Sequence, residues 1–274
     1  MSEPSTLMDS GYAGMYSDMY ARHWWWRARE ENVKHTVRRH RTWRRGHAKI
    51  LDVGCADGLN WRSLREEGDI EGIEPDASLL APGSPHLPRI EVADFLRGRP
   101  RAADHDLMVM LDVLEHIGDE RAALDRVRRL LAPHGRFLLT VPALPVLWSE
   151  FDTLSGHFRR YTRASLRAAL EGAGLRVLAL RYCSVWTVPP LFARRLFFRA
   201  AASEHSSFVQ PPPRPLNAAL YGWSRAEHAL TRTLPAPFGS SLLAVAAHGG
   251  GGGRAGDGAG LGDGVPDRDA GNAQ

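Results

Sequence analysis

Lysine is almost missing from this chain: of its 35 basic residues only Lys34 and Lys49 are not arginine. Basic positions therefore default to arginine everywhere, and an arginine-rich stretch is not by itself a nucleic-acid footprint. Residues 22–49 carry eight Arg and two Lys against Glu30 and Glu31. No RNA-binding module or zinc-finger spacing accompanies this surplus, so it reads as a solvated helical face, with RNA binding as the alternative. Cysteine occurs twice, at Cys55 and Cys183. That excludes a disulfide framework and fits a reducing cytoplasm. No apolar run approaches the ~18 residues of a membrane span, and the start of the chain is polar, with Glu3, Asp9 and Asp18, so neither secretion nor spanning is expected.

What is present is ordinary globular material. Hydrophobic residues make up 43% and charged residues 24% of 274 positions. One α/β unit of about 200 residues with extensions follows. Strands are expected at 49–53, 70–73, 90–92, 107–111, 136–141 and 175–180, with helices between most of them, which predicts a doubly wound parallel sheet. The helix from Asp119 to Leu131 has Leu124, Val127 and Leu131 on its buried stripe and is stopped by Pro133 and Gly135. A helix after Thr162 as N-cap ends at Gly172 or Gly174.

Residues 1–46 read as an N-terminal helical cap, with Tyr12, Tyr16, Tyr20 and Trp24 recurring every four residues on one face. After Cys183 the rhythm breaks. Helical stretches near 191–202 and 216–234, separated by Pro211, Pro212, Pro213 and Pro215, precede a last strand-like run at 241–246. The tail, 249–274, is rich in glycine and is expected to be disordered.

The densest signal is Ile50-Leu51-Asp52-Val53-Gly54-Cys55-Ala56-Asp57-Gly58. An apolar strand ends in an acid, two glycines allow a tight turn, and a helix through Leu59, Trp61 and Leu64 follows. A dinucleotide fingerprint would need three glycines spaced G-x-G-x-x-G to seat a pyrophosphate. Here Ala56 and Asp57 stand between two glycines, and the carboxylates of Asp52 and Asp57 would repel a pyrophosphate while favouring a cation. If position 56 needs positive φ, its alanine costs roughly 1 kcal/mol.

This stretch resembles the first motif of class I S-adenosylmethionine-dependent methyltransferases, with alanine at the usual central glycine. The resemblance covers about residues 20–248. It implies a Rossmann-like, seven-stranded sheet whose last strand is antiparallel, with a helical insertion (about 185–238) between strands six and seven. It further implies that Asp52, Gly54, Cys55, Ala56 and Gly58 cradle S-adenosylmethionine. Glu74 with Pro75 would hold the ribose, Asp94 with Phe95 the adenine, and Leu111 and Asp112 would lie near the methyl. A preceding helix covers the methionine end in related enzymes, which assigns Arg27 to its carboxylate.

The acceptor half is less specific. Asp112, Glu115 and His116 stand at i, i+3 and i+4, so on a helical turn they share a face. The segment is similar to the Glu-x-x-Glu-His of ubiquinone-type and small-RNA methyltransferases, where it binds metal. With His157 as a fourth ligand, Asp112, Glu115 and His116 form the metal option, although Leu-Glu-His is also widespread in enzymes that use none. His116 and His157 are the candidate bases, with Glu115 orienting His116. Tyr16, Tyr20, Trp24, Arg27, Trp148, Arg160, Tyr161 and Trp186 are the candidate acceptor contacts. The expected activity is methyl transfer to a small lipophilic or aromatic acceptor, oxygen favoured over carbon or nitrogen, in a cytoplasmic monomer or homodimer. Transfer to RNA and a non-catalytic scaffold are the alternatives. The insertion is apolar and basic at once, which suits core burial, a substrate gate or a peripheral membrane foot.

Overall fold

The structure, a computed structural model, describes residues 20–100, 104–197 and 211–249, with the backbone alone at 194–197. Tyr12, Tyr16 and the glycine-rich tail beyond Gly249 lie outside the described residues. Seven strands form one sheet in the order β3-β2-β1-β4-β5-β7-β6. They are β1 (Ala48–Val53), β2 (Gly68–Glu74), β3 (Ile90–Val92), β4 (His105–Leu111), β5 (Leu131–Pro142), β6 (Leu175–Cys183) and β7 (Ser241–His248). The first five pair in parallel, and β7 runs antiparallel between β5 and β6. This is the Rossmann-like arrangement expected.

Alternation along the central strands sorts the core onto two faces. Leu51, Val53, Met108, Met110 and Leu139 pack with Leu124 and Val127 of α3 (Glu120–Leu130) and Leu166 and Leu170 of α5 (Arg163–Gly172). Ile50, Leu107, Val109 and Leu138 pack on the opposite face with Val33 and Val37 of α1 (Trp24–His40) and Trp61 and Leu64 of α2 (Trp61–Leu64). The shorter α4 (Glu150–Leu154) follows β5, and α6 (Val188–Phe197) and α7 (Arg214–Thr233) lie between β6 and β7.

Three local expectations are corrected. The helix after the glycine loop is a single turn, Trp61–Leu64, because Gly58, Trp61 and Glu67 donate to carbonyls only three positions back and the chain turns at once into β2. It offers the loop little dipole. Pro133 and Gly135 lie inside β5 and do not precede it: Leu131 pairs with His105 and Arg136 with Leu107, so the four residues between are bulged against one, where a missing N–H costs no ladder bond. The four-residue aromatic repeat is broken at His23, which is extended and accepts from Trp25 N as the N-cap of α1, so Tyr20 and Trp24 do not share one continuous helix.

Candidate active site

The glycine loop is a run of left-handed backbone. Gly54, Ala56 and Gly58 have φ of 68°, 45° and 73°. Ala56 thus sits in the conformation its Cβ resists. A Cβ on Gly54 would lie 2.5 Å from Val113, and one on Gly58 would lie 2.9 Å from His86, so both glycines also admit neighbouring side chains. Glu74, at the end of β2, holds the loop: its carboxylate accepts from Ala56 N at 2.8 Å and from Asp76 N at 3.0 Å. Burial raises Glu74 despite these donors. Asp52 is fully buried and accepts from the Trp61 indole at 3.1 Å, and burial pushes it up to about 7.

Not every residue of the expected cofactor set faces this crevice. Cys55 and Leu111 are buried in the core on the α1 side of the sheet, and the Cys55 thiol is raised by burial. Phe95 is buried in the opposite core with the Arg126 guanidinium over its ring, a correction to its expected place against adenine. Asp94 is exposed and caps Leu96 N at 2.7 Å, and Pro75 is exposed.

The cap reaches the sheet through Arg29 and not through Arg27. Arg27 stacks on Tyr221 of α7, 4.1 Å from the ring centroid. Two residues on, Arg29 is buried, ion-paired with Asp112 at the end of β4, and flanked by the rings of Trp25 and Trp26. Burial works against its charge, but Tyr20 and Asp112 hold it protonated. Tyr20 stacks on Trp26 and is itself pushed up to about 12 by burial. Asp112 is therefore spoken for: it has φ of 58°, takes Arg29 and the Thr140 hydroxyl, and does not join Glu115 and His116. A pocket opens here, lined by Trp24, Trp25, Arg29, Asp112, Thr140 and, from α7, Ser224 and His228. Trp186 meets Trp24 at its edge, with centroids 5.1 Å apart, and donates to Ser224.

Beyond β4 and β5 two loops are tied together. Phe158 N donates to Glu115 O, and the Arg159 guanidinium donates to the carbonyls of Ile117 and Gly118, each at 2.8 Å. This brings His157 edge-on to His116, centroids 4.6 Å apart. One ligand atom each from Glu115, His116 and His157 fall within 4.8 Å of one another. Glu115 is fully buried, and neither of its side-chain oxygens meets a hydrogen-bond partner among the described residues. Burial, then the charge of Asp112, raises it well above its ordinary value. Desolvation and the neighbouring His157 lower His116.

A buried carboxylate organises this loop. Asp152 accepts from His157 Nδ1 at 2.9 Å, from Arg160 at 2.7 and 3.0 Å, and from Ser149 N at 2.9 Å. Burial opposes its charge, yet the hydrogen bonds from His157 and Arg160 hold Asp152 well below the ordinary value. Arg160 is thereby a structural partner, corrected from its acceptor role. Tyr161 is corrected likewise: it is buried in the core, and its hydroxyl donates to Glu120. Trp148 lies outside the pocket, donating to Thr153.

A family profile described as a methyltransferase domain matches residues 16–180. This chain belongs to that family. A ubiquinone biosynthesis O-methyltransferase of Psychrobacter cryohalolentis is 32% identical over 102 residues, 34% of this chain and 40% of that protein. A C-methyltransferase of Streptomyces niveus is 28% identical over 145 residues, 50% of this chain and 34% of that one. The methyltransferase chain thus spans well under half the length of these curated relatives. Two solved structures share its fold. A complex between the Haloferax volcanii Trm112 methyltransferase activator and a methyltransferase gives a TM-score of 0.57 at 19% identity, covering 90% of this chain and 99% of that one. The geranyl diphosphate C-methyltransferase of Streptomyces coelicolor gives 0.51 at 15%, covering 80% and 79%.

S-adenosylmethionine is the methyltransferase cofactor, and the residues present fit it. Asp52 and Glu74 are buried acids at adjacent strand ends, and Asp57 Oδ1 is a buried oxygen without a hydrogen-bond partner among the described residues. Together they fit a ligand carrying ammonium and sulfonium charge and oppose a pyrophosphate. Arg29 and Asp152 escaped the sequence reading for different reasons. Arg29 was legible as the residue three and four positions after Trp26 and Trp25 on one helix face. Asp152 was not, since its partners lie five and eight positions away in irregular chain.

Proposed function

We propose that this methyltransferase moves a methyl group from S-adenosylmethionine to an oxygen of a small lipophilic or aromatic acceptor, with His157 as the base. S-adenosylmethionine supplies an activated methyl on a sulfonium, with a neutral thioether as leaving group. What remains for the protein is alignment, exclusion of water and removal of the acceptor's proton. Asp52, Glu74 and the loop from Gly54 to Gly58 would hold the cofactor. Trp24 and Trp25 supply the aromatic wall of the pocket, with Trp186 packed against Trp24.

The observation that carries this reading is the Asp152–His157 pair. With Nδ1–H donated to a carboxylate, the tautomer is fixed and Nε2 is the nitrogen left to take a proton. Arg160 and Ser149 fix Asp152 in turn. The test is transfer of labelled methyl to a panel of hydroxylated aromatic and isoprenoid compounds, with the product's new bond located by NMR. An O-methyl ether supports the reading, and a C-methyl product overturns the oxygen assignment.

The unpartnered oxygens of Glu115 favour a second reading, in which a divalent cation takes Glu115, His116 and His157 as ligands and polarises the acceptor oxygen. Under it, a chelator abolishes turnover while leaving cofactor affinity intact.

A further inference from the structure

Helix α7 buries a polar face and exposes a row of large apolar side chains. Its buried residues are Ser224, His228 and Thr231, all polar, packed against α1. Leu220 and Tyr221 are half-buried, but three of its large apolar residues face away: Leu216 is 51% exposed, Trp223 63% and Leu230 56%. These three recur every seven positions, which puts them on one line along the helix, and Leu234 just past its end continues the line at 62% exposed. A helix held by its own protein shows the reverse polarity.

The charge pattern is as one-sided. Arg214, Arg225 and Arg232 each stand two positions from Leu216, Trp223 and Leu230, about 200° around the helix, so they line the opposite flank of the exposed surface, with Ala219 and Ala226 between. All three are exposed, and none forms an ion pair with a carboxylate among the described residues. The single acid of α7, Glu227, is turned inward and accepts from Val185 N and Trp186 N. From Val188 to Phe238 the sequence holds six arginines against two glutamates. Phe192 on α6 and Phe238 after α7 add exposed rings to the same segment, 40% and 42% exposed.

We propose that the outer face of α7 is a foot that lies on an anionic lipid surface, its apolar flank in the acyl boundary and its arginines at the headgroups. Among the described residues no helix is long and apolar enough to cross a membrane, so this is attachment in the plane of the interface. A second copy of the chain is the rival occupant, since Leu216, Ala219, Trp223, Ala226 and Leu230 alternate large and small about Trp223. An antiparallel two-fold pairing would, however, bring basic flank against basic flank with no acid to answer it, and a parallel one would set the basic flank on the apolar one, whereas anionic headgroups answer it directly. The inner face of the same helix lines the pocket through Ser224 and His228, so a docked α7 would set the pocket beneath the bilayer surface.

The test is co-sedimentation of the full chain with vesicles of phosphatidylcholine alone and of equal parts phosphatidylcholine and phosphatidylglycerol, with no cofactor or acceptor added. Binding to the anionic vesicles, weakened by salt, reduced about tenfold in Trp223→Ser with Leu230→Ser and about fivefold per site in Arg225→Gln or Arg232→Gln, supports the foot. Circular dichroism and cofactor calorimetry on each variant confirm that it is folded. Equal binding to both vesicle types, no binding at low salt, or wild-type binding by the folded double variant overturns it. A concentration-dependent dimer that the Trp223→Ser, Leu230→Ser variant loses, without vesicle binding, assigns the face to a second copy. Because the readout needs no methyl transfer, failure of the foot and failure of the O-methylation reading are distinguishable.

Discussion

The two halves of the site hold their acids in opposite ways. At the ends of β1 and β2, Glu74 is bound by backbone N–H groups of its own and the neighbouring loop, and Asp52 by Trp61 nine positions on. Beyond β4 and β5, the Glu115 side chain meets no hydrogen-bond partner among the described residues, and Asp152 is held by Arg160 and His157 from the next loop. The first half is local and preorganised by the strand ends. The second is assembled by loops and keeps one carboxyl group in reserve.

That contrast breaks most visibly at Asp152. Asp152→Asn leaves Arg160 with a buried, uncompensated charge and frees the His157 ring to flip. We expect a loss of about 3 kcal/mol of stability and about 100-fold in kcat, with the Kd for S-adenosylmethionine changed by less than about twofold. Urea unfolding, steady-state kinetics and calorimetry separate the three, and Asp152→Glu should recover part of kcat. Because Asp152 is depressed in the folded state, its contribution is fully present above its ordinary value of 3.8 and is lost as pH falls below that. Wild type should therefore lose stability in acid more steeply than Asp152→Asn.

The same contrast explains what was legible beforehand. The sheet, the strand ends and the acids at Asp52 and Glu74 follow from apolar runs, glycines and spacing, all local in sequence. The acceptor half depends on register between distant loops, as in the bond from Phe158 N to Glu115 O, 43 positions apart. No periodicity reports that. Asp112 illustrates the limit: its i, i+3, i+4 spacing to Glu115 and His116 suggested one face, but a left-handed backbone at Asp112 turns it toward Arg29 before the short 3₁₀ turn Leu114–His116 begins. The arginine surplus of residues 22–49 likewise resolves only in three dimensions. Lys34, Arg38 and Arg45 converge on Glu66, Arg41 pairs with Glu67, and Arg29 is buried on Asp112.

A smaller effect sharpens the cofactor side. Asp52 is pushed up to about 7 in the folded chain against an ordinary 3.8, so the folded state keeps a proton that the unfolded state gives up. Stability without cofactor should thus decline as pH rises from about 4 to about 7. A cationic ligand needs the carboxylate form, so its affinity should rise about tenfold between roughly pH 6 and pH 8 and level off above. Calorimetry across that range checks the sign. Asp52→Asn should flatten the curve, and a slope that survives the substitution would move the proton to Glu74.

The smallest effect lies at Ala56, where the comparison meets the fold itself. Its φ of 45° is held by Glu74 from one side and by the glycines on either side, so the loop keeps a conformation that its side chain opposes. Ala56→Gly removes that opposition, worth about 1 kcal/mol against a partly offsetting gain in unfolded-chain entropy. Tm should rise by about 2 °C. If the cofactor half is preorganised as its hydrogen bonds indicate, the relief appears in the free protein and the bound protein alike, and cofactor affinity stays within about twofold. A gain in affinity well beyond that would mean that the loop changes shape on binding, and the two halves would then differ less than their hydrogen bonding implies.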